Sequence, residues 1–361
     1  MRLGFTFNVR SAQGANAPER GLAGDAEEEF DPPETIDDIA AALRSLGHDV
    51  ELLGDGEPLV RRLLDRSLAR PDLVFNMAEG TGIGRSREAR VPALLEMLGI
   101  PHTGSDPLTL AVALDKSLAK TIVAAAGVAV PKGVVIQGTG DRTHGTGSPK
   151  SQVSAVIAGK PGTSDLGPGT WDLGLTPPLI AKPVFEGSSK GVLNKCLIEG
   201  NDRLSAVVSE LLAAYEQPVL VEEFIDGDEL TVGIVGNAPP QVIGVMRIVP
   251  LTVKSNFVYS LEVKRDWVSR VRYECPAQLS SEDSAAVGQA ALCAFQALGC
   301  RDVARIDFRL RGGVPYFIEA NPLPGLSPKS SDIVILARAM GIEHSELLRR
   351  IIAAAMERYA R

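Results

Sequence analysis

The chain has 361 residues, of which 23% are charged and 45% hydrophobic, and this composition indicates a globular protein with two or three domains. Its net charge of −8 argues against nucleic acid or an anionic membrane as the main partner. We find no run of about 18 apolar residues, no signal-peptide pattern, and no metal-ligand spacing among the four cysteines. We therefore expect a cytoplasmic protein with reduced thiols and no membrane span.

Strands and helices alternate in the first third of the chain. A short strand at 2–7 is followed by a polar and then acidic segment, a helix at 34–46, and a strand in GHDVELL. A helix in LVRRLLDRSLAR and a buried strand in DLVFNMAEG come next. This alternation predicts a doubly wound parallel sheet with functional groups at the carboxyl ends of its strands, where Glu79 lies. The polar residues at that end could equally be incidental parts of a loop.

The middle of the chain combines lysines with a loop rich in glycine and serine. Residues 106–127 predict a helix with Lys116 and Lys120 on one face, an arrangement that is usually solvated. Residues 137–178, rich in Gly, Ser, Thr and Pro, predict an insertion or flexible loop. The strand after them carries Lys182, and the following EGSSKG turn offers backbone N–H groups, hydroxyls and an ammonium that can hold phosphate. It is not a P-loop, because GxxxxGK[ST] is absent.

The last part of the chain is rich in strand patterns. The string PVLVEEFIDGDELTVGIVG predicts two strands joined by acidic residues, and QVIGVMRIV predicts another. Residues 257–264 (FVYSLEVK) are a less certain strand that bears Lys264. A long helix is predicted at 281–298, and IVILARAMG and HSELLRRIIAAAMERYA predict helices at the end.

Two apolar runs, ARIDFRL and VPYFIEANP, are joined by RGG at 311–313 and predict an antiparallel hairpin. Alternation along each strand places Arg305 with Asp307, and Glu319 with Asn321, on shared faces. Two carboxylates and an amide suit Mg²⁺ that also holds phosphates, because Mg²⁺ prefers hard oxygen ligands. Taken alone, the pattern could equally be an ordinary hairpin with solvent-facing charges.

Six strings in order resemble the ATP-grasp superfamily and, within it, the D-alanine–D-alanine ligase-like enzymes. They are FNMAEG, LLEMLGIPHTGSDPLTLAVALDK, AKPVFEGSSKGV, LVEEFIDGDELTVGI, ARIDF and FIEANPLPGLS. The resemblance covers most of the chain and implies an α/β ATP-grasp fold with three domains. These would be an N-terminal Rossmann-like parallel sheet at 1–115, a central α+β lid domain at 116–229 with the insertion at about 137–178, and a C-terminal α+β domain with a mostly antiparallel sheet at 230–361.

The resemblance implies ATP and two Mg²⁺, or Mn²⁺ in their place, as cofactors. Position by position, it implies two lysines that contact ATP phosphates and adenine, two serines in a loop that closes over the phosphates, an adenine-reading hinge and a ribose-binding glutamate. These are, in that order, Lys116 and Lys182; Ser188 and Ser189; Glu222, Glu223, Phe224 and Ile225; and Glu229. The implied metal ligands are Asp307, Glu319 and Asn321. The implied catalytic residues are Arg305 and Gly325, as donors to a tetrahedral oxyanion, and Ser188 in the closing loop.

The resemblance is weaker in the pocket for the first substrate. The family's loop with a glutamate that holds the substrate ammonium is absent as such. Counting back from the first helix points to Glu28, although Glu27 and Glu29 are equally arguable. The family's histidine after the third strand is Glu79 here, and an anion in place of an imidazole should change which substrate group is tolerated.

The pocket for the second amino acid also departs from the family. Lys264 and Ser330 fall where the family binds the carboxylate of that amino acid. Leu261 and Arg265 stand where the family has tyrosines, and Lys329 replaces a histidine, which adds a positive charge near the acceptor site. The departures thus lie in the amino-acid pockets, whereas the ATP and metal strings are intact.

The sequence therefore predicts an ATP-dependent carboxylate–amine ligase that forms an amide through an acyl phosphate. Its substrates would be small-molecule amino acids, or another carboxylate and an amine, and it would be a homodimer by analogy with the family. Ligation of two D-alanines competes with ligation of another amino acid or natural product. A non-catalytic nucleotide-binding protein is the alternative from another class, and ADP release that depends on added amino acids would separate it from a ligase.

Overall fold

The computed structural model describes residues 1–11, 25–139, 150–157, 171, 173–252 and 256–360. Within these ranges the strands form three sheets, one of three strands and two of five. The α/β fold with one parallel and two antiparallel sheets agrees with the prediction. No helix among the described residues combines the length and the apolar character that crossing a bilayer requires.

The N-terminal sheet is parallel, in the order β2-β1-β3. Its strands and the helices that flank them are β1 (Arg2–Phe7), α1 (Pro33–Ser45), β2 (Asp49–Leu52), α2 (Gly56–Leu64), β3 (Leu73–Met77) and α3 (Arg90–Met97). Helix α1 starts with a proline, which suits this position because N–H groups in the first turn have no partner within the helix. The helix buries Ile36, Ile39 and Leu43. Because β1 and β3 run in the same direction, the segments after them meet at one edge of the sheet.

The predicted single helix at 106–127 is two helices, α4 (Pro107–Leu114) and α5 (Lys116–Ala125). Asp115 breaks the helix with an extended backbone, and its side chain accepts hydrogen bonds from the N–H groups of Ser117 and Leu118. This capping satisfies N–H groups that would otherwise lack partners. The expectation of a solvated lysine face is wrong, because Lys116 and Lys120 are both buried.

The central sheet is antiparallel, in the order β5-β4-β8-β6-β7. Its elements are β4 (Gly133–Thr139), β5 (Lys150–Ile157), β6 (Leu179–Pro183), β7 (Leu197–Ile198), α6 (Leu204–Tyr215) and β8 (Val219–Glu223). The prediction that 137–178 is an insertion is wrong for β5, which pairs with β4 and covers the edge that β4 would otherwise leave open. Trp171 and Leu173 are also buried in the core beneath α6. Much of the remaining predicted insertion lies outside the described residues.

The C-terminal sheet is antiparallel, in the order β11-β10-β9-β12-β13. Its strands are β9 (Asp228–Val235), β10 (Gln241–Pro250), β11 (Val271–Glu274), β12 (Val303–Arg311) and β13 (Val314–Asn321). The helices are α7 (Leu261–Arg265), α8 (Trp267–Arg270), α9 (Ser281–Ala297), α10 (Asp332–Ala339) and α11 (His344–Tyr359). The predicted strand at 257–264 is wrong: an irregular segment leads into α7, because the N–H of Leu261 bonds to the carbonyl of Val192 instead of to a strand.

Two large cores hold the sheets together. One joins the N-terminal sheet and α1 to α10 and α11, and includes Phe5, Ile39 and Leu347. The other joins α5 and α9 to the C-terminal sheet, and includes Phe295 and Phe308. This packing brings the ends of the β12–β13 hairpin to the edge where the N-terminal strands finish.

Candidate active site

The β12–β13 hairpin has the predicted form. Its register pairs Arg305 with Asn321 and Asp307 with Glu319, so the four side chains share one face. The Nη2 atom of Arg305 lies 3.0 Å from Oδ2 of Asp307 and 3.8 Å from Oε1 of Glu319. The Nδ2 atom of Asn321 lies 3.5 Å from Oδ2 of Asp307. Thr231 on the neighbouring strand donates a hydrogen bond of 2.9 Å to the same carboxylate.

The two carboxylates of the hairpin differ in proton affinity. Burial raises the pKa of Asp307 to about 6, although the charge of Arg305 opposes the shift. Burial acts on Glu319 in the same direction, but Lys116, Lys264 and Arg305 outweigh it and lower the pKa of Glu319 to about 2. Both groups are therefore carboxylates at neutral pH, and with the amide oxygen of Asn321 they form a set of hard oxygen donors.

That donor set has the composition that Mg²⁺ accepts. Across the described part of the chain, no group of three or more His, Cys, Asp or Glu side chains is arranged to hold a metal ion. The predicted set is of a different kind, with two carboxylates and one amide. It leaves coordination positions open for other oxygen atoms.

The predicted ATP lysines are buried among carboxylates. The Nζ atom of Lys116 donates to the carbonyl of Glu186 and lies 3.5 Å from Oε2 of Glu319. The Nζ atom of Lys182 lies 2.6 Å from Oε1 of Glu222. Lys120, which was not predicted as a site residue, belongs to the same cluster, because its Nζ lies 3.2 Å from the other oxygen of Glu222. Burial lowers the pKa of Lys120 to about 8, against the opposing charge of Glu222.

A second missed residue, Arg309, organises the predicted hinge. Its Nη2 atom lies 2.5 Å from Oε2 of Glu229, and its guanidinium stacks on the Phe224 ring at 4.7 Å. Its Nη1 atom donates to the carbonyl of Ile225 at 3.3 Å. Arg309 follows Asp307 on the same strand face, so alternation alone could have placed it beside the predicted ligands.

The hinge packs tightly against the hairpin. Gly227 has φ of +153°, and a Cβ atom there would lie 2.1 Å from the carbonyl oxygen of Leu310. Only glycine permits this close approach. The remaining hinge glutamate, Glu223, pairs with Arg311 at 3.0 Å.

The EGSSKG turn (186–191, the lid loop) adopts a demanding backbone. Ser188 and Ser189 both have positive φ, 48° and 61°, a conformation that is uncommon for residues other than glycine. Two acidic residues before α1 hold the loop. The Gly187 N–H donates to Glu29 at 2.8 Å, and the Gly191 N–H donates to Asp25 at 3.2 Å. The segment before α1 therefore holds the lid loop in place through these two hydrogen bonds.

The three consecutive glutamates before α1 have different surroundings. Glu27 accepts hydrogen bonds from Ser11. Glu28 pairs with Arg265 at 2.9 Å. Glu29 accepts two hydrogen bonds from Arg87, of 2.8 and 2.9 Å, and its side chain is 4% exposed. Burial raises the pKa of Glu29, but the charges of Arg87 and of a lid-loop lysine outweigh it, so the pKa is lowered.

Two adjoining cavities contain the predicted site residues, and we name them the substrate cavity and the nucleotide cleft after the roles that the sequence predicts for those residues. The substrate cavity, of about 360 Å³, is lined by Glu28, Glu79, Ser188, Arg305, Asn321, Gly325 and Ser330. The nucleotide cleft is lined by Lys182, Ser189, Glu222, Glu223, Phe224, Ile225, Glu229 and Asp307. Lys116, Lys264 and Glu319 line both, so the two cavities meet at the hairpin. Every residue that the sequence analysis placed in the site lies in one cavity or the other.

On the acceptor side, the structure corrects the prediction for Lys329 and adds two residues that were not predicted, Asp332 and Tyr273. Lys329 does not line the substrate cavity: its Nζ lies 3.2 Å from Asp38 and its side chain is 71% exposed. Asp332, at the start of α10, lies 3.3 Å from Nη1 of Arg305. It also accepts a hydrogen bond of 3.2 Å from Tyr273. Acidic residues are common in the first turn of a helix, so nothing in the sequence pattern distinguishes Asp332.

Comparisons with known proteins agree with this geometry. Residues 172–353 match the family model described as the D-ala D-ala ligase C-terminus. Uncharacterized protein y4sG of Sinorhizobium fredii is 32% identical over 90% of this chain and 88% of its own length. A D-alanine–D-alanine ligase of Desulforudis audaxviator is 32% identical over 89% of this chain and 92% of its own. The crystal structure of D-alanine–D-alanine ligase from Bacillus anthracis complexed with ATP shares the fold, with a TM-score of 0.68 and 23% identity over 99% of this chain and 98% of that one.

The fold and its relatives define an ATP-dependent ligase of the ATP-grasp type. The chain belongs to the D-alanine–D-alanine ligase family. It is therefore an enzyme that forms a peptide bond with the use of ATP, and the predicted ligase is confirmed in preference to a non-catalytic nucleotide-binding protein.

Proposed function

We propose that the enzyme activates the carboxylate of one amino acid, or of a related small acid, and joins it to the amine of a second amino acid. The observation that carries this proposal is the junction of the two cavities. Lys116, Lys264 and Glu319 line both of them. A phosphate at the end of the nucleotide cleft and a carboxylate in the substrate cavity would therefore meet among the same charged groups.

The nucleotide would lie along the cleft that the hinge closes. Backbone groups of 222–225 would contact adenine, Glu229 the ribose, and Lys116 and Lys182 the phosphates. The buried positive charge of these lysines supports the phosphate assignment, because ammonium groups in a poorly solvated site bind phosphate strongly. The lid loop, with Ser188 and Ser189, would close over the phosphates.

Asp307, Glu319 and Asn321 would hold Mg²⁺, for which Mn²⁺ could substitute. Two ionised carboxylates and an amide oxygen on one face fit such an ion. When bound, the metal neutralises charge on the phosphate oxygens.

The chemistry of the ligation accounts for the other residues. A carboxylate is a poor electrophile, so transfer of the γ-phosphoryl group from ATP to its oxygen yields an acyl phosphate and ADP. The amine then attacks the acyl carbon, loses a proton, and phosphate leaves. Arg305 and the N–H of Gly325 would stabilise the oxyanion formed in between, since prepositioned donors act strongly in a water-poor site. The lid loop around Ser188 would keep water from the acyl phosphate.

The substrate pair need not be the two D-alanines that the names of relatives state. Glu79 lines the substrate cavity where the family resemblance places a histidine. On the acceptor side, Lys264 stands over the Tyr259 ring at 5.2 Å and would bind the carboxylate of the second amino acid together with Ser330. Ligation of D-alanine to D-alanine is the second candidate, and it is favoured by the relatives' names.

We also propose domains at 1–115, 116–229 and 230–361. Each contains one of the three sheets, except that β9 begins at Asp228, two residues before the last boundary.

The function is tested by measuring ADP and phosphate release over pairs of L- and D-amino acids, with mass spectrometry of the products. We expect ADP release only with productive amino acids, and a product whose mass is the sum of two substrates minus water. ATP turnover that is indifferent to every amino acid and yields no condensed product would overturn the proposal.

A further inference from the structure

The substrate cavity has two ends of different charge. The end at the hairpin carries Lys116, Lys264 and Arg305 beside Glu319. The segment before α1 and the loop after β3 contribute a second group of charged side chains, Asp31, Glu79 and Glu88, which also line the cavity and which we call the acidic end. A molecule that spans the cavity would therefore meet positive charge at the reacting end and negative charge at the other.

The acidic end is built by a tight loop after β3. Gly80 has φ of +73°, and a Cβ atom there would lie only 2.4 Å from the carbonyl oxygen of Arg87. The loop thus folds back so closely that Glu79 and Glu88, on either side of this contact, face the same cavity. The negative charge of Glu88 adds to burial in raising the pKa of Glu79.

Among the described residues, the carboxylates of the acidic end have no hydrogen-bond or ion-pair partner. Glu88 is 8% exposed and forms neither a hydrogen bond nor an ion pair with any residue the structure describes. The side chains of Glu79 and Asp31 likewise have no hydrogen bond or ion pair within the described ranges. Buried carboxylates are ordinarily paired, because leaving one ionised and unpaired is costly.

Two other carboxylates near the same cavity are, in contrast, paired with cations of the protein. Glu29 and Glu186 are each within 3.6 Å of both Arg87 and Lys190. These two cations are therefore already engaged. Arg10 lines the cavity itself, donates to the carbonyl of Glu28 at 3.2 Å, and opposes through its charge the burial that raises the pKa of Asp31, without forming an ion pair with it.

The proton affinities agree with unpaired carboxylates. Burial raises the pKa of Glu88 to about 7, with Arg87 opposing and Glu29 reinforcing the shift. Burial, with Arg10 opposing, raises the pKa of Asp31 to about 6. Burial and the charge of Glu88 also raise the pKa of Glu79. A cation placed among the three would reverse these shifts.

We propose that the acidic end binds a second cationic group of the first substrate, which is a basic amino acid with an ammonium or guanidinium side chain, such as lysine, ornithine or arginine. The inference rests on the proposed ligase function, since the carboxylate to be activated must lie at the hairpin. The α-ammonium needs one carboxylate, and Glu28, which also pairs with Arg265, lines the cavity and would supply it. Three further carboxylates that have no partner among the described residues exceed what that single ammonium requires.

The first test compares lysine with norleucine, which has the same carbon chain and lacks the terminal ammonium. Titration calorimetry is done on the full-length protein with Mg²⁺ and a non-hydrolysable ATP analogue, so that no turnover is needed. We expect lysine of the accepted configuration to bind about tenfold more tightly than norleucine, or better. Equal affinities in both configurations, for lysine, ornithine and arginine alike, would overturn the inference.

The second test uses the variants Glu88→Gln and Glu79→Gln, which keep shape and remove charge. We expect kcat/KM for the basic amino acid to fall about tenfold or more in each, and in Glu88→Gln we expect the KM for ATP and kcat/KM for norleucine to stay within about twofold. Glu282→Gln, at an exposed position in the first turn of α9, is the matched control and should change none of these values. Equal losses for basic and neutral amino acids would indicate a structural role and would contradict the inference.

The outcomes separate this inference from the proposed function. If neutral amino acids support ADP release as well as basic ones, the ligase function stands and the basic substrate is wrong. If basic amino acids bind tightly through the acidic end but no pair releases ADP, the cation site stands and the ligase proposal fails.

Discussion

The nucleotide cleft and the acidic end of the substrate cavity treat buried negative charge in opposite ways. In the cleft, Glu222 is 1% exposed and lies between Lys120 and Lys182, with both of its oxygens close to an ammonium group. At the acidic end, Glu79 and Glu88 have no such partner in the part of the chain that the structure describes. Both regions are poorly solvated, so the difference lies in which charges the protein itself supplies.

The difference has a physical explanation in the ligands. ATP is the same in every member of a ligase family, so the protein can balance the charges of its cleft internally. The substrate differs from one ligase to another, and a charge that only the substrate can balance is left open until it binds. An internal pair leaves no buried charge uncompensated, whereas unpaired charge opposes folding and favours binding.

Removing a group where the two cavities meet should have the largest effect. In Glu319→Ala the hairpin loses a carboxylate of the proposed metal set, and we expect turnover to fall by about 10²–10³-fold or more, since such charge stabilisation is strong in a preorganised site. ADP release at saturating substrates measures it, and Glu282→Ala serves as the surface control. Near-normal turnover would remove Glu319 from the metal set.

Removing the paired charge of the cleft should destabilise the protein. Glu222→Gln leaves two buried ammonium groups without their carboxylate, and we expect a loss of about 3–5 kcal/mol in the free energy of unfolding at pH 7.5. Urea titration measures it, and adding Lys120→Met should restore part of the loss. An unchanged free energy of unfolding would mean that the pair contributes nothing.

The same pair predicts a pH dependence. Burial raises the pKa of Glu222, but Lys120 and Lys182 outweigh it and lower the pKa below its ordinary value of 4.5. The contribution of this carboxylate to stability is therefore complete above about pH 4.5 and is lost as the pH falls through the lowered pKa. The stability difference between the parent and Glu222→Gln should narrow accordingly in acid.

A methyl group at position 80 should disrupt the tight loop that forms the acidic end. Gly80 and Gly82 both have positive φ, but a Cβ atom at Gly82 meets nothing within 4 Å, whereas one at Gly80 meets a backbone oxygen at 2.4 Å. We expect Gly82→Ala to cost about 1 kcal/mol and Gly80→Ala about 1–3 kcal/mol more, together with weaker binding of the first substrate. Equal unfolding free energies for the two variants would mean that the loop yields easily at Gly80.

The sharpest test of the comparison is the substitution that removes unpaired charge. Burial raises the pKa of Glu88 from 4.5 to about 7, so the folded protein holds this proton more tightly than the unfolded chain. Stability is then lost as the pH rises from about 4.5 through 7, and Glu88→Gln should stabilise the protein by about 1–3 kcal/mol at pH 8. Urea titrations at pH 4.5 and 8 should show the gain only at pH 8. A loss at pH 8 would place Glu88 with the paired charges.

Local patterns predicted the catalytic hairpin well. Strand alternation fixes which side chains share a face, so Arg305, Asp307, Glu319 and Asn321 could be grouped before any tertiary structure was known. The same rule covers Arg309, whose role depends on the hinge packing beside it. The lysine and lid strings lie in order along the chain, and the fold brings them to one cleft.

Features that depend on long-range packing were beyond these patterns. Lys116 and Lys120 have the spacing of a solvated helix face, but packing against the central and C-terminal sheets and the lid loop buries both. Three adjacent glutamates look alike in sequence, and the irregular backbone of their loop decides that Glu29 alone reaches Arg87. The aromatic and β-branched residues before Lys264 have the pattern of a strand, but they form an irregular segment whose Leu261 N–H bonds to the carbonyl of Val192.

The hydrogen bonds between the lid loop and the segment before α1 bear on how much ATP the enzyme would consume for each peptide bond. Because Glu29 and Asp25 accept hydrogen bonds from lid-loop N–H groups, the loop cannot open unless this segment also lets go. In the proposed mechanism, product escape and entry of water to the acyl phosphate would thus depend on the same two carboxylates. We expect the number of peptide bonds formed per ATP consumed to depend on a segment that contributes no atom to the reaction itself.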